Sequence, residues 1–275
     1  MLGSSAYRLF ASSKGISVTG TARSVRDLGP LPRQDNATIV GGIDATDTDT
    51  VVSIIAQQKP DVVINCVGII KQLAASKDAL ASIAINSLFP HRLAQICAVA
   101  NARLIQISTD CVFSGDRGGY RESDLPDARD LYGRSKLLGE TDYPHAITLR
   151  TSIIGHELGR SVSLIDWFLG QPGPRVSGYR RAIYTGLPTV ELARVMRDLV
   201  IPDPALSGLW HVSSQPINKF ELLKLVGEIY GKRIEIIPDD SVTIDRSLDG
   251  SRFNAATGYS APSWRELVSQ MHAAR

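Results

Sequence analysis

Cysteine is scarce in this chain of 275 residues. Cys66, Cys97 and Cys111 are too few and too far apart for a disulfide framework, and their spacing matches no zinc pattern. They read as the reduced thiols of a cytoplasmic protein, with no metal site expected. An excess of one charge is also lacking. Thirty Lys and Arg against 28 Asp and Glu leave a formal charge of +2, with no dense basic run. That gives no electrostatic case for nucleic acid or an anionic membrane as partner. No apolar run reaches the roughly 18 residues that a spanning helix needs. No basic segment followed by a sufficient apolar run opens the chain, so no signal peptide is expected. Internal repeats and low-complexity tracts are absent too.

What is present is an ordinary globular composition, 43% hydrophobic and 21% charged, enough for a sizeable core. Strand-like and helix-like segments alternate. "ISVTGTA", "DVVINCVG", "RLIQIST" and "AITLRTSII" read as strands, the second and third as strands buried on both faces. "TDTVVSIIAQQ", "KDALASIAINSLFPHRLAQICAVANA" (bent near Pro90) and "LYGRSKLLGETDY" read as helices between them. This alternation predicts an α/β fold with a doubly wound parallel sheet, whose functional residues sit at the C-terminal strand ends. After about Gly155 the pattern loosens. "GQPGPRVSGYRRAIYTGLPT" reads as loop, "GLWHVSS" as a strand that returns to the sheet, and "NKFELLKLVGEIYG" as a helix capped by Asn218 and closed by Gly231. The expected division is a nucleotide-binding domain over 1–154, rejoined by 186–215. A smaller lobe then takes 155–185 and 216–275.

The sharpest constellation is "QISTD" followed by "YGRSK". Tyr132 and Lys136 are four residues apart on a predicted helix, so they share a face. An ammonium beside a phenol favours the phenolate and lowers its pKa, which suits proton transfer near neutral pH. Thr109 closes a buried strand, where its hydroxyl can bond a carbonyl oxygen. By itself a Tyr-x-x-x-Lys spacing more often marks a solvated helix face. His156, His211 and Asp166 suggest no triad or metal site. His211 reads as a core histidine, and Trp210 and Trp264 as core aromatics.

With "QISTDCVFSG", "DLYGRSKLLGE", "AINSLFPHRLA", "TGLPTVELARVM" and "GLWHVSS" in this order, the sequence resembles the extended short-chain dehydrogenase/reductases, specifically their dTDP-4-dehydrorhamnose reductase-like branch. The resemblance implies a Rossmann-like domain with a substrate-binding lobe, and an oxidoreductase that reduces a sugar-nucleotide carbonyl in cell-surface polysaccharide biosynthesis. It implies Thr109, Tyr132 and Lys136 as catalytic residues, with Lys136 also holding the nicotinamide ribose. Asp110 and Cys111 follow on the substrate side. Arg23 and Ser24 end the strand that meets the adenosine ribose. Arg there suits the 2′-phosphate of NADP, and no acid stands at that end to favour NAD, which stays a possibility. Asp44 resembles an adenine-contacting aspartate, or caps the helix behind it. Cys66, Val67 and Gly68 let the backbone approach the cofactor. Asn86 matches a structural or proton-relay asparagine, the alternative being an exposed mid-helix residue. Lys71 and Gln72 lie past the nicotinamide end, within reach of substrate or in a surface loop. The partner expected is a nucleotide-sugar substrate, with a homodimer possible.

Two departures bear on the sugar. Cys111 stands where the branch usually has a substrate-facing tyrosine, and Ile153 where it often has a tryptophan. Losing two aromatic surfaces changes pocket shape and stacking area. A nucleotide-linked 4-keto-6-deoxy sugar other than dTDP-4-dehydrorhamnose is therefore expected, N-acetylated or UDP-linked. Rival readings are an epimerase or dehydratase that keeps NAD bound, and a non-catalytic subunit like the regulatory one of methionine adenosyltransferase. The opening "MLGSSAYRLF" matches only the end of the family's glycine-rich turn, with Gly3 as its third glycine. The first strand and two glycines have no counterpart. The expectation is a natural start about ten residues earlier, and weak NADP binding and poor folding of the chain as written.

Overall fold

The computed structural model describes residues 1–26, 28, 31–32, 34–71, 77–159 and 162–275. The candidate Gln72 lies outside them. The main sheet is parallel. Strands β3 (Val62–Asn65), β4 (Arg103–Thr109), β5 (Ala146–Thr151) and β9 (Gly208–His211) follow one another in that order. Strands β1 (Val18–Thr21) and β2 (Ala37–Val40) form a second, two-stranded parallel sheet. Among the described residues β1 pairs only with β2, and β3 only with β4. β3 is accordingly half-buried at Val62, Val63 and Ile64, not covered on both faces as its apolar run suggests. β9, from "GLWHVSS", does return to the sheet, in register with Ile147–Arg150.

Helix α1 (Leu2–Ala11) buries Leu2, Ala6 and Phe10 against Ile105, Ile147 and Leu149 of the main sheet. Helix α2 (Thr48–Gln58) and helix α4 (Phe89–Val99) cover the opposite face, where Val51, Ile54, Phe89 and Leu93 meet Leu104 and Ala146. The long helical pattern around Pro90 divides into α3 (Ala79–Ser82), a wide π-turn segment over Ile83–Leu88, and α4. The irregularity precedes Pro90, which follows the π-turns directly: Phe89 N donates to Ala84 O, five residues back. Helix α5 (Leu131–Leu138) follows a cap at Asp130, whose carboxylate accepts from Gly133 N at 2.8 Å. Beyond it, β6 (Ile153–Ile154) pairs with β8 (Leu187–Pro188), and α7 (Thr189–Val195) starts at Thr189 and packs on α1.

One expectation fails here. The stretch read as loop holds β7 (Arg175–Tyr184), the centre of a three-stranded sheet between β10 (Ile217–Asn218) and β11 (Glu235–Asp245). Only its first residues turn. "RVSGYRRAIY" buries Gly178, Ala182 and Tyr184, and Gly178 is required by contact, not flexibility. A β-carbon there would come within 2.8 Å of Phe220 and 2.7 Å of Ile236. Helix α6 (Leu164–Leu169) and helix α8 (Lys219–Tyr230) pack on this sheet; Asn218 caps α8, and Gly231 closes it with φ of 66°. Two short helices, α9 (Ser251–Thr257) and α10 (Trp264–Ala273), end the chain. No helix among the described residues is long and apolar enough to cross a membrane.

Candidate active site

The end of β4 sets the site. Thr109 is the last residue of the strand, and the chain turns at once through Asp110–Val112. The Thr109 hydroxyl accepts from Cys111 N and donates to the Asp110 carboxylate, each at 3.1 Å. Helix α5 lies directly against that turn because Gly133 carries no side chain. A β-carbon at Gly133 would sit 2.2 Å from Cys111 O, and one at Gly139 would sit 1.8 Å from Asn86 O. This close approach brings Tyr132 beside Thr109, near enough for the threonine to act on the phenol's titration. Lys136, one turn on, is buried, and its Nζ donates to Ile107 O on β4 at 2.7 Å.

The electrostatics differ from the expectation that Lys136 lowers the Tyr132 pKa. Burial pushes the Tyr132 phenol well above its usual range, helped by the neighbouring Cys111 and Asp110, while Thr109 acts in the opposite sense. Lys136 is itself brought down to about 8 by burial, with Glu140 and then Cys66 resisting. Desolvation outweighs the attraction expected of a surface pair, because the dry interior penalises both charged forms. Burial likewise pushes Asp110 up and the Cys111 thiol to about 12.

Asn86, placed mid-helix by its sequence, is buried rather than exposed. Its side chain exchanges two hydrogen bonds with the backbone of Ile69, at 2.9 and 3.0 Å, and donates to Ser135 Oγ at 3.2 Å. It thus ties the segment after β3 to α5. Gly68 faces the same amide, and Val67 N donates to Asn65. Cys66 presents surface to solvent, yet burial pushes its thiol up to about 11. It lies under α1, where a β-carbon on Gly3 would touch it at 3.4 Å. Lys71 pairs with Asp130 at 2.7 Å, so it reaches the mouth of the site through the cap of α5. Ile153 is half-buried against the main core.

On the other side, Arg23 is exposed at the end of β1, with Asp44 within electrostatic reach. Ser24 accepts from Arg26 N. Asp44 does not cap α2: Asp47 does, and Asp44 holds Thr46. An adenosine 2′-phosphate fits an exposed guanidinium at this strand end.

Several residues of the site were not read from sequence. Glu140 receives a bidentate pair from Arg150, both bonds at 2.7 Å, and a hydrogen bond from Ser108 at 2.6 Å. It therefore joins α5 to the strand ends of β4 and β5, next to Lys136. Its place four residues after Lys136 in "YGRSKLLGE" was the available signal. Arg150 then reaches Nε2 of His211, whose Nδ1 donates to Tyr120 O, so His211 is the core histidine expected. Trp210 is buried as expected. His156 and Asp166, which gave no reason to be paired, meet at 2.7 Å, and His156 also bonds Tyr230. Among the described residues no group of three or more acidic, His or Cys side chains could hold a metal ion.

The profile of the family described as RmlD substrate binding domain matches residues 1–274. The chain belongs to this family. It is 29% identical over 216 residues to a probable low-salt glycan biosynthesis reductase of Haloferax volcanii, covering 75% of this chain and 69% of that protein. It is 36% identical over 129 residues to a dTDP-4-dehydrorhamnose reductase of Streptomyces griseus, covering 45% of this chain and 42% of that one. In fold it resembles the dTDP-4-dehydrorhamnose reductase of Bacillus anthracis solved in complex with NADP. The TM-score is 0.76 at 20% identity, over 93% of this chain and 98% of that chain.

Proposed function

We propose that this protein is an NADP-dependent reductase of a nucleotide-linked 4-keto-6-deoxy sugar, acting in the cytoplasm in glycan biosynthesis. The observation that carries the reading is the meeting of Thr109 at the end of β4 with Tyr132 on α5, and Lys136 one turn behind. The bound nicotinamide supplies the hydride that reduces the keto carbon. Tyr132 gives its proton to the developing alkoxide. Its raised pKa keeps it protonated at neutral pH, so it enters the reaction as an acid. Thr109 turns its hydroxyl from Asp110 to the carbonyl oxygen and polarises it. Lys136 stays oriented by Ile107 O, with further N–H donors for the ribose, and offsets the phenolate that Tyr132 becomes. Arg23 and Ser24 take the adenosine ribose and its phosphate, and Gly3, Cys66, Val67 and Gly68 give the backbone its approach to the dinucleotide. Asp110, Cys111, Lys71 and Ile153 face the sugar side. Residues 1–154 with 186–215 form the cofactor domain, which also lends these substrate-facing residues, and the remainder forms the substrate lobe. Exposed Leu80, Ile83, Leu88 and Leu138 on neighbouring helices support a homodimer.

The test is a panel of dTDP- and UDP-linked 4-keto sugars assayed with NADPH and NADH. Stoichiometric oxidation of NADPH on at least one is expected. Interconversion of a sugar without net oxidation of added NADPH would instead identify an epimerase or dehydratase.

A further inference from the structure

Two cations on the far side of Thr109 are not used by the chemistry above. Strand β7 is flanked by β10 and β11, whose register sets Asn218 and Asp245 on either side of Ile183. The next residues along the outer strands are Lys219 and Arg246. One sheet therefore delivers two positive side chains from opposite flanks, the antiparallel β10 sending Lys219 toward the level of Ala182 and the parallel β11 sending Arg246 toward that of Tyr184, each within electrostatic reach of the other. Arg246 Nε donates to Phe113 O at 2.8 Å, which fixes the guanidinium against the Asp110–Val112 turn. Its charge is felt by Asp110, Cys111 and Asp130. Lys219 is half-buried and within electrostatic reach of Asp110 and Cys111.

Both cations have donors to spare. A guanidinium carries five N–H groups and an ammonium three. Among the described residues, Arg246 spends one on Phe113, and the Lys219 ammonium makes no hydrogen bond or ion pair. The nearby acids are engaged elsewhere: Asp110 accepts from Thr109, and Asp130 holds Lys71 and caps α5. A desolvated, unpaired ammonium is costly. Its place adds to that cost, because Lys219 is the first residue of the 12-residue α8, where the helix dipole disfavours a cation. The cap of α8 comes from Asn218, so the helix gains nothing from the lysine charge.

We infer that Lys219 and Arg246 form an oxyanion subsite for the diphosphate of the nucleotide-linked substrate. This rests on the reading of Thr109 and Tyr132 as the site of a sugar-nucleotide reductase. A diphosphate offers the oxygen acceptors and negative charge that both side chains lack, and a guanidinium matches two of its oxygens at once. Anchored there, the substrate lays its sugar over the Asp110 turn toward Thr109 and Tyr132. A carboxylate on the sugar would meet the same chemistry, and the experiment separates the two.

Calorimetric titration of the full chain, saturated with NADP, with dTDP and with UDP needs no turnover. The wild type is expected to bind at least one of them. Lys219→Gln should weaken that binding by roughly tenfold. Lys219→Arg should restore most of it, and NADP affinity and melting temperature should not fall in either variant. Arg246→Gln should add to the loss; should it unfold, the Lys219 variants decide. Unchanged affinity in Lys219→Gln, or a wild type that binds neither nucleotide, overturns the subsite. A loss confined to sugar nucleotides bearing a carboxylate overturns the diphosphate assignment. If Lys219→Gln loses dTDP or UDP while no keto sugar is ever reduced, the reductase reading fails and the subsite stands. If the wild type reduces a keto sugar and Lys219→Gln does so with unchanged KM, the subsite fails and the reductase reading stands.

Discussion

Two of the parallel sheets of this molecule, the four-stranded main sheet and the β1–β2 pair, are built from similar strands and held very differently. Every residue of β5 is buried, and β4 is buried at five of its seven positions, Leu104, Ile105, Gln106, Ser108 and Thr109. β1 is half-exposed along its length and ends at the exposed Thr21. The difference tracks the work expected of each. Ser108, Glu140 and Arg150 form one hydrogen-bonded cluster at the end of β4, with Lys136 tied to the same strand through Ile107 O and Thr109 closing it. Arg23 stands on the surface, where it can select a ligand but carries no part of the fold. Changes in the first region should therefore cost stability and turnover together. Changes in the second should alter cofactor choice alone.

The largest effect is expected at Glu140. Glu140→Gln leaves the buried Arg150 guanidinium without its counter-charge, at a cost of about 3 kcal/mol in chemical denaturation. It should also move the pH dependence of kcat/KM. Lys136 is charged below about 8, and turnover should fall as pH rises through that value. Removing Glu140, which holds Lys136 up, shifts that fall to lower pH. Gly139→Ala forces a β-carbon onto Asn86 O and should cost about 2 kcal/mol, with kcat lowered because α5 is displaced from the β4 turn. Asn86→Ala leaves the Ile69 amide and carbonyl unpaired, and an urea midpoint lower by an amount equivalent to about 1–2 kcal/mol should result.

Lys136→Met gives a subtler signature. The folded-state value of about 8 lies below the ordinary lysine value, so the unfolded chain holds the extra proton between the two. Wild-type stability should rise with pH across that window, and the variant should lose this rise. The smallest structural effect is expected at Arg23. Arg23→Ala should leave the melting temperature unchanged and lower the preference for NADPH over NADH by roughly tenfold, the worth of one charge-assisted contact. A melting temperature that drops with Arg23, or one untouched by Glu140→Gln, would erase the contrast between the two regions.

The buried region was also the more legible one. "RLIQIST" gave β4 to the residue, because an uninterrupted apolar run ending in Ser-Thr has few other uses. The Asn218 cap and Gly231 stop of α8 were readable because capping chemistry is local. β7 was not, since Gly and Pro at its start masked the strand, and Gly178 is explained only by Phe220 and Ile236, distant in sequence. That Thr109 and Tyr132 serve one site was an expectation carried by the resemblance of "QISTDCVFSG" and "YGRSK" to the family, while spacing alone spoke only for Tyr132 and Lys136. The sign of the Tyr132 shift was not legible, because it depends on how completely the fold excludes water. Glu140 and Lys219 escaped for a related reason: a charged residue on a helix reads as solvated until its neighbours are known.

The most direct measurement is NADPH oxidation by Tyr132→Phe with whichever keto sugar the wild type reduces, alongside NADPH binding by fluorescence. Loss of turnover by about a hundredfold or more, with cofactor affinity unchanged, is the result expected when the phenol supplies the proton. Near-normal turnover in Tyr132→Phe would contradict the assignment of Tyr132 as the acid and, with it, the role given to the β4–α5 contact.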